Sequence, residues 1–170
     1  MIRRALLPDA SRLSHLAERT FRDAFGAQNT SHDLDLHCRQ SFSEAIQASE
    51  ISSSDIVTFI CEEGADLVGF AQIRLGAAPR CVEALKPGEV HRLYVVDECR
   101  GKGIAQSLMN ACLDEFKRRD VDAVWLGVWE RNPRAITFYR KFQFREAGEH
   151  VFQLGTDPQR DLIMVRQLTR

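Results

Sequence analysis

The chain has no apolar run approaching the roughly 20 residues of a bilayer span, so no membrane-crossing helix is expected. No basic tract or basic helix face stands out. With a formal net charge of -1, there is no electrostatic case for nucleic acid or an anionic membrane surface as partner. The five cysteines, Cys38, Cys61, Cys81, Cys99 and Cys112, include no C-x-x-C pair that would suggest zinc or redox chemistry, and they read as reduced thiols. The five histidines form no H-E-x-x-H or similar ligand set, so no metal is implied. The stretch Met1–Leu7 reaches Pro8 and Asp9 too soon for a signal-peptide core, and a cytoplasmic protein is expected. Repeats and low-complexity segments are also missing. The 170 residues, 44% hydrophobic, suffice to bury one core, so residues 1–170 are expected to form a single domain.

What is present alternates between strand and helix signals. Ile2 to Ala5 reads as a short strand, and Leu13, Leu16, Ala17, Phe21, Ala24 and Phe25 mark an amphipathic helix. Thr30 to Glu50 is weaker, one or two short helices in which Asp33, Asp35, Glu44 and Glu50 face only Arg39. Ile56–Cys61 and Leu67–Leu75 form strands joined by a turn at Glu63-Gly64-Ala65. Glu89–Val96 forms another, and Ala123–Trp129 suits a buried central strand. Asn132-Pro133 starts a helix to about Phe142, with asparagine at the N-cap and proline at the first helical position. Strands near Glu149–Leu154 and Leu162–Leu168 close the chain as a hairpin around Gly155-Thr156-Asp157-Pro158.

One loop carries chemistry. Arg100-Gly101-Lys102-Gly103-Ile104-Ala105 lies between the strand ending at Val96 and an amphipathic helix running from about Lys102 to Arg118. Two glycines leave the backbone unshielded at a helix N-terminus. Free N–H groups and the positive dipole end can face an anion there, with Arg100 and Lys102 adding charge. A P-loop is excluded because Gly103 is followed by Ile104 and Ala105 rather than Lys-Ser/Thr, and a dinucleotide fingerprint because Gln106 stands where its third glycine belongs. On these residues alone, a simple connecting turn stays open beside the phosphate reading.

These residues resemble the GCN5-related N-acetyltransferase (GNAT) superfamily. Its signature R/Q-x-x-G-x-G/A is filled by Arg100, Gly103 and Ala105, and its second signature by Asn132, Ala135, Phe138, Tyr139 and Phe144. The order of elements is similar over essentially the whole chain. Within the superfamily, Trp125-Leu126-Gly127-Val128-Trp129-Glu130 and Asp161-Leu162-Ile163-Met164 resemble the bacterial PaiA-type spermidine/spermine N-acetyltransferases. The resemblance implies a mixed α/β fold: a central, mostly antiparallel sheet of six to seven strands with one splayed parallel pair, flanked by about four helices.

It also implies acetyl-CoA as donor. The pyrophosphate would lie on Arg100, Gly101, Lys102, Gly103, Ile104 and Ala105, and the pantetheine arm along Leu93, Tyr94 and Val95. Asn132 would help hold the cofactor, or cap its helix, or both. Tyr139, seven residues on and about 10 Å further along the same helix face, would serve as general acid toward the departing thiolate; packing in the core is its alternative role. An alkyl ammonium near pKa 10.4 must lose a proton, and Glu89, with His91 two residues on, is the implied base, against the alternative of a solvated strand end. The implied acceptor is a primary amine, a polyamine on the narrower resemblance, with the acidic Thr30–Glu50 segment attracting it unless that segment is merely a solvated face. The implied partners are this small-molecule amine and, in a homodimer, a second copy of the chain. A peptide N-acetyltransferase and a non-catalytic acyl-CoA sensor are the rival functions. The family usually has glycine where Gln143 stands, which implies strain if that residue needs positive φ.

Overall fold

In the computed structural model, which describes residues 1–168, seven strands form one sheet in the order β1-β2-β3-β4-β5-β7-β6. The strands are β1 (Ile2–Arg4), β2 (Ile56–Glu63), β3 (Asp66–Leu75), β4 (Pro87–Val95), β5 (Ala123–Trp129), β6 (Arg145–Leu154) and β7 (Asp157–Gln167). The helices are α1 (Ala10–Phe25), α2 (Ser31–Ser41), α3 (Glu44–Ser52), α4 (Ile104–Arg118) and α5 (Pro133–Lys141). Neighbouring strands are antiparallel except β4 and β5, as the mixed-sheet expectation requires. Five helices stand where about four were expected. The segment after Thr30 divides into α2 and α3, each with its own N-cap: Thr30 Oγ1 accepts from the Asp33 N–H at 3.2 Å, and Ser43 Oγ from the Ile46 N–H at 3.3 Å. Among the described residues no helix is long and apolar enough to cross a membrane.

Amphipathic periodicity places the layers. Leu13, Leu16, Ala17 and Phe21 form the buried stripe of α1, and Leu108, Met109, Cys112, Leu113 and Phe116 that of α4. Strand alternation assigns these helices to opposite faces. Gly88 of β4, opposite Leu75, meets Phe116 of α4, whereas the adjacent Arg74 reaches Glu50 of α3 on the α1 side.

Two irregularities in β4 create the gap the site needs. Gln72 lies opposite Arg92 and Ile73 opposite Val90, so His91 is an extra residue, a β-bulge that sharpens the local twist. Parallel pairing to β5 lasts only from Pro87 to Glu89, opposite Ala123 to Trp125, while β5 stays paired with β7 as far as Trp129. Beyond Glu89 the two central strands diverge.

Boundaries shift for physical reasons. α4 starts at Ile104 instead of Lys102, because Gly103 takes φ +80 and caps the helix without joining it. β6 begins at Arg145 and β7 at Asp157, earlier than the apolar segments beginning at Glu149 and Leu162. The added residues of β6 are mostly exposed and polar, and only pairing with β7 makes them strand. Gln143 adopts φ +65 at the family's glycine position, a strain of about 1–2 kcal/mol that the buried Phe144 beside it helps hold.

Candidate active site

Gly101 and Gly103 both have positive φ, +81 and +80, and the space where a Cβ would stand is open at each. The loop therefore presents bare backbone at the start of α4, where N–H groups lack intrahelical partners and the dipole is positive. A cleft of about 780 Å³ runs from this loop between β4 and α5. Leu93, Tyr94, Val95, Arg100, Gly101, Gly103, Ile104, Ala105, Asn132 and Tyr139 line it together, the grouping expected from sequence. Lys102 departs from that expectation. Its ammonium turns away, 3.5 Å from Glu63 Oε2 on β2 and 3.5 Å from Cys99 Sγ, and its side chain is not part of the lining. Arg131, Arg134 and Lys141, which sequence reasoning missed, join Arg100 as lining cations against one carboxylate, Asp23. Basic residues around the Asn132-Pro133 helix start were the available signal.

The walls suit an elongated anion. Because β5 leaves β4 after Glu89, backbone groups of Leu93–Val95 that do not point to β3 open onto the cleft and can pair with a ligand's amides. Asn132 does cap α5, its Oδ1 accepting from the Ala135 N–H at 3.1 Å, and its amide nitrogen is the end left for the cleft.

A second cavity of about 210 Å³ adjoins the first and shares Phe25, Leu93, Tyr94, Trp129, Asn132, Ala135 and Tyr139 with it. Its own residues include Glu89, His91, Arg92, His150 and Asp161. Glu89 Oε1 lies 3.2 Å from His91 Nδ1, which brings the two candidate bases into contact. Burial lowers the His91 pKa and favours the neutral imidazole, with the Glu89 contact opposing. Arg92 is committed elsewhere: it pairs with Glu50 at 2.7 Å, donates to Gln72 Oε1 at 3.1 Å and to the Ser41 carbonyl at 3.2 Å, and lies over the Phe42 ring. Tyr139 sits where the cavities meet. Burial, reinforced by Tyr94 and Cys112, raises its pKa, so the phenol keeps its proton at neutral pH.

The acidic segment behaves differently from expectation. Asp33 Oδ1 accepts from the N–H and hydroxyl of Thr156 at 2.6 and 2.7 Å, Asp35 pairs with Arg22 at 2.6 Å, and Glu50 is held by Arg92. These carboxylates fasten α2 and α3 to the rest of the protein and line neither cavity. The carboxylates that line the smaller cavity are Glu89 and Asp161, the latter at the start of the apolar end of β7.

The cleft with its bare glycines, open β4 edge and four cations fits acetyl-CoA, which carries phosphates at one end and amides along its arm. Residues 13–144 match the model of the Acetyltransferase (GNAT) family. An uncharacterized N-acetyltransferase of Lactobacillus delbrueckii subsp. lactis is 25% identical over 90% of this chain and 88% of its own length. The spermine/spermidine N(1)-acetyltransferase of Bacillus subtilis is 28% identical over 71% of this chain and 84% of its own. In fold, the chain is similar to the PaiA N-acetyltransferase of Thermoplasma acidophilum, solved in complex with coenzyme A, with TM-score 0.79 and 22% identity over 99% of this chain and 98% of that one. The chain thus belongs to the acetyltransferase (GNAT) family and is an acetyl-CoA-dependent N-acetyltransferase.

Proposed function

We propose that the acceptor is a small aliphatic polyamine of the spermidine or spermine kind, acetylated at a primary amine. The observation that carries this reading is a separation of charge across Tyr139. The donor cleft is lined by Arg100, Arg131, Arg134 and Lys141, whereas the adjoining cavity offers the carboxylates Glu89 and Asp161, and its one arginine is already paired with Glu50. Such a cavity attracts a cation and repels the phosphates beside it. The spermine/spermidine acetyltransferase of Bacillus subtilis supports the same substrate class.

Bound acetyl-CoA supplies a thioester carbonyl for the amine to attack and a thiolate as leaving group. The amine arrives charged, and uncovering its lone pair at pH 7 costs about 4.6 kcal/mol. Glu89 with His91 is the base in this reading: the carboxylate draws the ammonium in, and the neutral imidazole can take and pass on its proton. Tyr139 donates a hydrogen bond to the departing sulfur. Leu93–Val95 and the loop Arg100–Ala105 hold the donor in place, and Asn132 adds its amide.

Thiol release from acetyl-CoA over a panel of spermidine, spermine, amino acids and peptides tests the reading. Spermidine and spermine should be turned over with the highest kcat/KM. A peptide strongly active beside an inert spermidine would sink it.

A further inference from the structure

Asp161 is a buried carboxylate that the reaction outlined above leaves unused. It is 8% exposed, and its one ionic neighbour among the described residues is His150, whose Nε2 lies 3.6 Å from Oδ2. A buried carboxylate whose partner is a single histidine 3.6 Å away is costly to keep charged, so its position calls for an explanation.

Strand register places it. Asp161 of β7 lies opposite Trp129 of β5 and opposite His150 of β6, and alternation puts Asp161, His150, Trp129 and Gly127 on one sheet face. Glu89 reaches the same cavity from the other side of β5, opposite Trp125. The register positions of Glu89 and Asp161 are four residues apart along β5, about 13 Å. The two carboxylates therefore enter from opposite ends of the cavity. Gly127 keeps the Asp161 end clear: a Cβ there would stand 2.9 Å from His150 Nε2 and 3.2 Å from Asp161 Oδ2. The neighbouring Arg160 faces the other way, paired with Glu130 and Glu149.

The geometry points to a subsite at Asp161 and His150 for a second, non-reacting ammonium of the substrate, set apart from the amine that meets Glu89 and Tyr139. It rests on the polyamine reading and deepens it, because it makes the enzyme select for two cationic centres on one flexible chain. The charged and titratable groups that border this space are His150 on β6, Glu89, His91, Arg92 and Tyr94 on β4, and Tyr139 on α5. Of these Arg92 is the fixed cation, and Glu50 neutralises it.

The test compares 1,4-diaminobutane and spermidine with butylamine, by steady-state kinetics and by calorimetric binding to the protein without donor. Wild type should favour the diamine and the triamine, and in D161N their KM and Kd should rise roughly 10- to 100-fold, with the diamine-to-monoamine ratio of kcat/KM falling toward one. E89Q should lower kcat for all three amines and leave that ratio in place. G127A, which pushes the His150–Asp161 pair aside by one methyl group, should act in the direction of D161N and serves if that variant does not fold. A wild-type ratio retained in D161N, or in G127A where D161N does not fold, overturns the subsite while the polyamine reading stands. A wild-type enzyme inert toward every amine but active on peptides overturns both.

Discussion

The ring of Phe116 covers Gly88 so closely that a Cβ at position 88 would lie 2.3 Å from its Cε1. Gly88 stands among the first three residues of β4, the three that pair with β5, and Phe116 belongs to the helix that begins at the anion loop. The contact thus sets how deeply α4 sits at the apex of the gap. Gly88→Ala should cost about 1–3 kcal/mol by overpacking, read as a lower denaturation midpoint with unchanged m. Coenzyme A affinity should fall with it, because the loop travels with the helix.

Tyr139→Phe removes one oxygen and leaves a ring that packs against Phe138 and Phe144. Turnover should fall by about 10²-fold or more, with coenzyme A affinity changed less than about twofold, as measured by steady-state kinetics beside calorimetry. Equal losses in both would place Tyr139 in donor binding instead, and unchanged turnover would leave it a packing role only.

Arg100 and Lys102 are two residues apart but face different surroundings. Arg100 lines the donor cleft and is paired with Asp97, while Lys102 faces Glu63. Arg100→Glu should weaken coenzyme A binding by about tenfold or more, and Lys102→Ala by less than about twofold. Fluorescence or calorimetric titration of coenzyme A distinguishes them.

Burial pushes the Asp161 carboxyl up to about 6 from its ordinary 3.8, with His150 opposing. The native state therefore holds this proton more tightly than the unfolded chain does. The resulting stability is present below about pH 4 and is lost as pH rises through about 6. Asp161→Asn removes the ionisation, so it should be more stable than wild type by about 1–3 kcal/mol at pH 8 and equal to it near pH 4. Thermal melts of both proteins across that range show whether the difference closes as expected.

The cofactor half of the site was legible because its signals are local. Two glycines between a strand and an amphipathic helix announce a bare helix N-terminus, and Asn132-Pro133 announces another helix start; both stand in the structure. Lys102 was misplaced because its partner Glu63 is distant in sequence. The acidic stretch after Thr30 was misread for the same reason, since Thr156 and Arg92 use its charges from far along the chain. The start of β6 carries no apolar alternation to announce it, and Asp161 gains its meaning only when β7 lies beside Trp129.

The divergence of β4 and β5 has a mechanical consequence. Three residue pairs are all the pairing between the half of the sheet made of β1 to β4 and the half made of β5, β7 and β6. The seam leaves an unpaired strand edge inside the protein instead of at its rim. A donor that pairs with Leu93–Val95 becomes the missing strand. Its concentration then sets how firmly the halves cohere, by RT ln(1 + [L]/Kd). The cleft-facing amide hydrogens of Leu93–Val95, those not bonded to β3, should exchange quickly in the empty enzyme and become protected as the donor binds, which links the integrity of the sheet to the cell's supply of acetyl groups.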